Sequence, residues 1–326
     1  MVIQILRGLL FAVGLLVSIP LVQADGHLTR DEPILPLPSH IELDSRKVHL
    51  GNILYHDVRL SADDSISCAH CHNLETNGSD GQPRSKGIGG AVGDIKAPTV
   101  YNSGFNFVQF WNGRAASLEE QVGGPINNPI EMGSSWPQVL VKLNADPAMV
   151  SAFSQIYQDG ITEQNIRDAI ATFERSLITA NSPFDRWLLG DETAISELEL
   201  NGYLLFKDYG CTSCHQGKNV GGNMYGYMGA IGNYFSDRGD ELTQADLGRY
   251  QVSGIDDDRH LFKVPSLRLA ALQKFFFHDA SVSKLEEAIQ IMGRYQLGRK
   301  IPNEDVSAIA AFLKSLVGTH PQLVKP

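Results

Sequence analysis

The chain has 326 residues, with 37 acidic against 27 basic side chains and a net charge of −10 when histidine is neutral. That length exceeds what one ordinary hydrophobic core serves and suits two domains. The acidic balance argues against nucleic acid and anionic membranes as partners, and is compatible with a basic protein steered in by its field.

Residues 1–24, MVIQILRGLLFAVGLLVSIPLVQA, carry one early Arg7, an apolar run from Leu9 to Val22 and a small residue, Ala24, at a cleavage position. The run is short for a bilayer span and no stop-transfer pattern follows, so it reads as a secretory signal peptide. No later stretch is apolar and long enough to cross a bilayer. The mature chain is expected to be exported and soluble.

Gly51-Asn-Ile-Leu-Tyr-His-Asp57 reads as a short helix leading into Cys68-Ala-His-Cys71-His72. The pattern returns as Gly202-Tyr-Leu-Leu-Phe-Lys-Asp208 ahead of Cys211-Thr-Ser-Cys214-His215, and these two motifs use all four cysteines. Two tight disulfides would consume the cysteines but give no reason for a histidine to follow each pair. Two CxxCH motifs in an exported chain with no spare cysteine point instead to two covalently bound haem c groups. Two thioethers fix the edge of the macrocycle while the adjacent imidazole is held under the iron, which makes His72 and His215 the proximal ligands.

Further parallels follow in chain order. Pro98 precedes Trp111 by thirteen residues, as Pro265 precedes His278. Ser117-Leu-Glu-Glu120 and Ser283-Lys-Leu-Glu286-Glu287 each resemble a capping-box helix start. Between the repeats, Thr162 can cap a helix carrying Ile166, Ile170, Phe173 and Leu177 on one face; a last helix opened by Asn303 carries Val306, Ile309, Leu313 and Leu316. No alternating strand pattern of any length occurs. The fold class is therefore mainly α: two tandem cytochrome c-like haem domains with long loops, residues 25–182 and 183–326, divided near Asn181-Ser-Pro183. The last helix is free to pack back on the N-terminal domain. Residues 216–259, rich in Gly and Tyr, form an insertion of unassigned shape.

The distal faces of the irons separate electron transfer from chemistry, because a strong sixth ligand closes a haem and an open position admits a small molecule. Met292, in Ile291-Met-Gly-Arg-Tyr295, is the leading candidate for the second iron, with Met224, Met228, His260 and His278 as rivals. The repeat places Met132, in Glu131-Met-Gly133, roughly opposite Met292, which would make the chain a two-haem electron carrier. Glu131 opposes that reading, since a carboxylate over a haem is costly unless it moves protons.

Together, Cys68-Ala-His-Cys-His-Asn-Leu, Ala97-Pro-Thr-Val-Tyr-Asn102, Gln109-Phe-Trp-Asn-Gly-Arg-Ala115, Gly124-Pro-Ile, Glu131-Met-Gly133, Phe262-Lys-Val-Pro-Ser-Leu-Arg268, Phe277-His-Asp279 and Met292-Gly-Arg resemble the bacterial di-haem cytochrome c peroxidases. That family also contains the maturation enzymes of methylamine dehydrogenase, and the resemblance runs from about Leu50 to Leu316. It implies a peroxidatic haem on His72 and an electron-entry haem on His215 and Met292. It also implies Glu131 as the distal acid–base group, Gln121 as its neighbouring amide and Trp111 as a relay between the haems. Hydrogen peroxide would be the substrate, a small periplasmic c-type cytochrome or cupredoxin the donor, and a homodimer the assembly.

The departures are as specific. Ile88 stands where many members carry a histidine that ligates the peroxidatic iron at rest, so that haem is expected to be open. Lys96 replaces a usual asparagine and Phe275 a usual proline where the family binds an interdomain calcium, which puts that ion in doubt. The maturation enzymes also lack the loop histidine, but place tyrosine where Met292 stands; Tyr295 lies near, and oxidation of a partner protein is the alternative within the family.

Overall fold

The computed structural model describes residues 29–324; the signal-peptide segment lies outside them. In chain order the helices are α1 (Ser45–Tyr55), α2 (Cys68–Cys71), α3 (Leu118–Asn127), α4 (Trp136–Asn144), α5 (Pro147–Ser154), α6 (Glu163–Ser176), α7 (Pro183–Leu188), α8 (Glu197–Asp208), α9 (Tyr234–Arg238), α10 (Tyr250–Ser253), α11 (Leu285–Leu297) and α12 (Asn303–Ser315). Two short antiparallel strands, β1 (Tyr225–Tyr227) and β2 (Leu261–Lys263), pair Gly226 with Phe262. None of these helices is long and apolar enough to cross a membrane.

Each half is built on one close helix crossing just ahead of its CxxCH motif. On α1, a Cβ added to Gly51 would lie 2.0 Å from the Ala169 carbonyl oxygen of α6; on α8, one added to Gly202 would lie 1.9 Å from that of Ala308 on α12. Only glycine lets the backbones approach this closely. The apolar faces read from the sequence are the buried ones: Ile166, Ile170 and Phe173 on α6, and Val306, Ile309 and Leu313 on α12. Thr162 caps α6 through the Asn165 amide at 3.2 Å.

The repeat has a fixed spacing downstream of the motifs. Asn102 and Leu269, Phe110 and Phe277, and Gly113 and Ala280 all take positive φ, and each pair is 167 positions apart (102 to 269, 110 to 277, 113 to 280). The isolated bridges Gln109–Ala115 and Phe276–Val282 and the starts of α3 and α11 (118 to 285) keep the same spacing. The motifs themselves are 143 apart (68 to 211), so the second half gains a net 24 residues. These form the β1 strand, α9 and α10. The register also corrects one expectation: Ser117 caps α3 by accepting from Glu120 N at 3.2 Å, but its counterpart is Lys284, and Ser283, one position early, caps nothing.

Where the last helix packs also differs from expectation. α12 lies against α8, α11 and α7 in the second core, with Phe312 and Leu316 fully buried beside Phe184 and Tyr203. The tail beyond it crosses to the first domain: Thr319 N donates to Ala180 O at 2.9 Å and Val324 N to Glu75 O at 3.0 Å. In exchange, the segment before α1 packs on the second domain. Ile34 is fully buried in that core, Glu32 accepts from Tyr203 and Lys207, and Leu35 O accepts from Arg268. Arg268 is itself wholly buried and paired with Asp185 at 2.8 Å, every contact a charge-assisted bond.

Candidate active site

A cavity of about 470 Å³ lies beside the second motif, within the range of cofactor pockets (roughly 300–1,000 Å³). Cys211, Cys214 and His215 line one wall, Met292 of α11 another, and Trp111 and Lys263 a third. Gly221, at φ 118°, brings its backbone under the imidazole: a Cβ there would sit 2.4 Å from Pro265 O and 3.3 Å from His215 Nδ1. Burial lowers the His215 pKa to about 4, with the Val220 and Pro265 carbonyls opposing, so the ring is neutral at pH 7 and offers a lone pair.

Three observations fit haem c, the first in both halves and the other two in the second. The four cysteines are unbridged, and burial raises Cys68 to about 12 and Cys71 and Cys211 to about 11. Burial that keeps the thiols protonated opposes the thiolates that zinc needs, and two unbridged cysteines in each motif leave both free for thioether links. His215 Nδ1 is buried without a hydrogen-bond partner of good geometry. Finally Lys263, 7% exposed on β2, aims an ammonium into the cavity and has no ion pair or side-chain hydrogen bond among the described residues, a costly arrangement that an anionic cofactor would relieve.

Among the candidate ligands of the second iron, Met292, Met228 and His278 line the cavity, whereas Met224 and His260 do not. His278 is committed elsewhere: its Nε2 lies 2.8 Å from Asp246 Oδ1 and its ring stacks on Phe262. Met228 Sδ faces Gln296 Nε2 at 3.9 Å. Tyr295 points away, its hydroxyl donating to Asp237 at 3.1 Å.

At the first motif, His72 Nδ1 lies 3.0 Å from Pro98 O and 3.3 Å from Gly78 O, which orients the ring, and burial lowers its pKa. Here the repeat spacing overturns the pairing of Met132 with Met292. In the register that aligns α3 with α11, the counterpart of Met292 is Pro125 (125 to 292), and Met132 falls in a turn that α11, running on to Leu297, does not copy. Met132 is 3% exposed in the first core, its amide donating to Pro125 O and its carbonyl accepting from Ala62. Proline has no donor atom for iron, so the first half offers no candidate ligand at the position of Met292.

The residues around that position are polar or charged. Gln121 lies four residues before Pro125 on the same face of α3. Glu131 follows in the turn, its Oε1 accepting from Asn128 Nδ2 at 2.7 Å. Burial raises the Glu131 pKa, opposed by the Arg114 guanidinium, and its charge acts on Cys71. Arg114 lies over the Phe110 ring at 3.3 Å. The loop with Ile88 is pinned over this turn: Ile88 N donates to Glu131 O at 2.8 Å, and a Cβ on Gly87 would sit 2.0 Å from Ile130 O. Trp111 donates its indole N–H to Lys96 O at 2.9 Å, and its carbonyl accepts from Lys263 N at 2.8 Å.

Residues 45–193 match the family described as di-haem cytochrome c peroxidase. The cytochrome c551 peroxidase of Nitrosomonas europaea is 41% identical over 302 residues, covering 92% of this chain and 89% of that protein. The chain belongs to the di-haem cytochrome c peroxidase family. Cytochrome c peroxidase Ccp of Escherichia coli is 49% identical over 89% of this chain, but the chain spans 62% of its length. A MauG-like protein associated with microbial copper homeostasis has a similar structure, with 26% identity and a TM-score of 0.74 over 92% of this chain and 98% of that one.

Where the resemblance places an interdomain calcium, the residues of this family member do not fit the ion. Lys96 is 3% exposed, and its Nζ donates to Gln273 Oε1 and to Ala97 O at 3.3 Å, so an ammonium stands among the oxygens a cation would use. Elsewhere among the described residues, Asp246, His278 and Asp279 could converge on a metal, but Arg238 Nη1 already bonds both carboxylates at 2.9 and 2.8 Å. Sequence reasoning missed Pro125, Arg114 and Lys263. Each lies inside a stretch quoted for the resemblance, yet its significance depends on register or on the cavity wall.

Proposed function

We propose that this peroxidase reduces hydrogen peroxide to water at the His72 haem c, using electrons that enter through the His215–Met292 haem c from a small periplasmic c-type cytochrome or cupredoxin. The observation that carries the reading is the asymmetry of the repeat: methionine at 292, proline at 125. When bound, the haems supply an iron that accepts peroxide oxygen on one side and a reversible one-electron store on the other.

The chain's own groups then have distinct tasks. Glu131 takes the proton from the near oxygen of peroxide and returns it to the far oxygen, which leaves as water. Gln121 orients the substrate, and Arg114 favours the ionised state in which Glu131 can act as base. Met292 would hold the entry haem, where a thioether favours ferrous iron, and Trp111, in the wall of that cavity, would relay electrons between the halves. Two electrons and two protons complete the conversion of one peroxide to two waters. With Ile88 in place of a ligand, no reductive release precedes catalysis. The functional unit is a homodimer without bound calcium.

The EPR spectrum of the fully oxidised protein tests this. A high-spin signal beside a low-spin His/Met signal is expected; two low-spin haems would refute the open site. Steady peroxide consumption with reduced cytochrome c, lost in Glu131→Gln, distinguishes the enzyme from an electron carrier.

A further inference from the structure

A buried lysine lies at the seam between the two domains, and no step of peroxide chemistry uses it. Lys96 makes four hydrogen bonds. Its Nζ reaches Gln273 Oε1 of the second domain and Ala97 O of the first. Its amide donates to His278 O at 2.9 Å, in the second domain, and its carbonyl accepts the Trp111 indole at 2.9 Å, in the first. The side chain borders the cavity of the second motif together with Gln273 and Trp111.

Burying an ammonium costs several kcal/mol unless its protons are satisfied. Here the acceptors are a side-chain amide and a main-chain carbonyl, and no carboxylate lies within ion-pair distance among the described residues. Asp80 acts on it only through its charge. Neutral oxygens converging on a buried positive charge at a domain junction are what a hard metal cation gathers around itself.

We infer that the Lys96 ammonium is the protein's own interdomain cation: it does the work of a bound calcium, ties the domains together and fixes the Trp111 indole in the cavity wall. Lys96 is thus a positioning residue: Gln273 anchors its side chain, and its main-chain carbonyl, held in place by that anchorage, accepts the Trp111 indole N–H. The wild-type fold is complete without a divalent ion, and electron passage between the halves depends on the anchored lysine. The electron-transfer part rests on the two-haem reading, which haem content measured by pyridine haemochrome checks separately in every sample.

The experiment uses the holoenzyme. Wild type should melt at the same temperature with EGTA, with excess calcium and with neither. Lys96→Met should keep two haems but melt lower and pass electrons between the haems more slowly, on the order of tenfold to a hundredfold, as expected for a displaced relay. Lys96→Arg should recover most of both. Lys96→Asn should melt low in EGTA and be restored by added calcium. A wild-type melting point that falls in EGTA and returns with calcium overturns the inference, whether or not the variants fold. So does a Lys96→Met protein with wild-type melting and inter-haem rates.

Discussion

Pro125 and Met292 occupy the same position in two copies of one helix, 167 residues apart, and only one of them can bind iron. On the proposed reading the first half is open because α3, like the loop that carries Ile88, offers no ligand there. Pro125→Met should close it. The oxidised protein should lose its high-spin EPR signal, and peroxide turnover should fall by more than about tenfold with the fold intact, since methionine favours a helix far more than proline does. An unchanged high-spin signal would show that position 125 does not face the iron.

Glu131 is the proposed acid–base group, and burial raises its pKa above the ordinary carboxylate value. The base form is needed, so turnover should rise as pH climbs through that raised value, placing the acid limb of the pH–rate profile above the usual glutamate range. Glu131→Gln should lower kcat/KM by about 10²–10⁴ and abolish that limb. Arg114→Met, which removes the opposing charge, should move the limb higher still. A limb that stays put in both variants would assign the proton to another group.

Lys263 is expected to neutralise a carboxylate of the second haem. Lys263→Met should lower the midpoint potential of the methionine-ligated haem, consistent with losing a charge-assisted bond of about 1.5–3 kcal/mol, while Lys263→Arg largely preserves it. Potentiometric titration followed at the low-spin haem reads the difference directly.

Glu174 offers a stability test independent of turnover. It is 5% exposed on α6, has no side-chain partner among the described residues, and burial raises its pKa to about 8. Between the ordinary glutamate value of about 4.3 and pH 8 the folded state binds more protons than the unfolded state, so stability falls as pH rises through that window. Glu174→Gln should flatten the decline, gaining on the order of a few kcal/mol at pH 8 and little at pH 4. Denaturant melts at the two pH values check it.

Features written in local spacing were legible before any coordinates: the CxxCH motifs, the Thr162 cap, the packed faces of α6 and α12 and the doubling itself. Other features depend on where distant segments meet. Met132 sits near Glu131 and a glycine, as a ligand would, yet its side chain went into the first core because the turn after α3 has no counterpart after α11. The insertion after His215 shows no periodicity because its one strand, β1, is three residues long and pairs with β2 beyond it, and its order comes from the Arg238–Asp246 pair and the bond of Asp246 to His278 downstream. The buried lysines are invisible to pattern, since hydropathy places them outside.

The exchanged ends of the chain have a consequence for assembly in time. Glu32 bonds Tyr203 across 171 positions, and Arg30 bonds Trp187 across 157. Contacts so distant in sequence are slow to form, because their closure entropy is met only after nearer structure exists. The first domain is made early but cannot be latched until the second has been synthesised and has folded around its motif. The proposed haem attachment at the two CxxCH motifs would have a window before the molecule shuts, and a chain truncated after the first domain should leave the segment before α1 without its resting place.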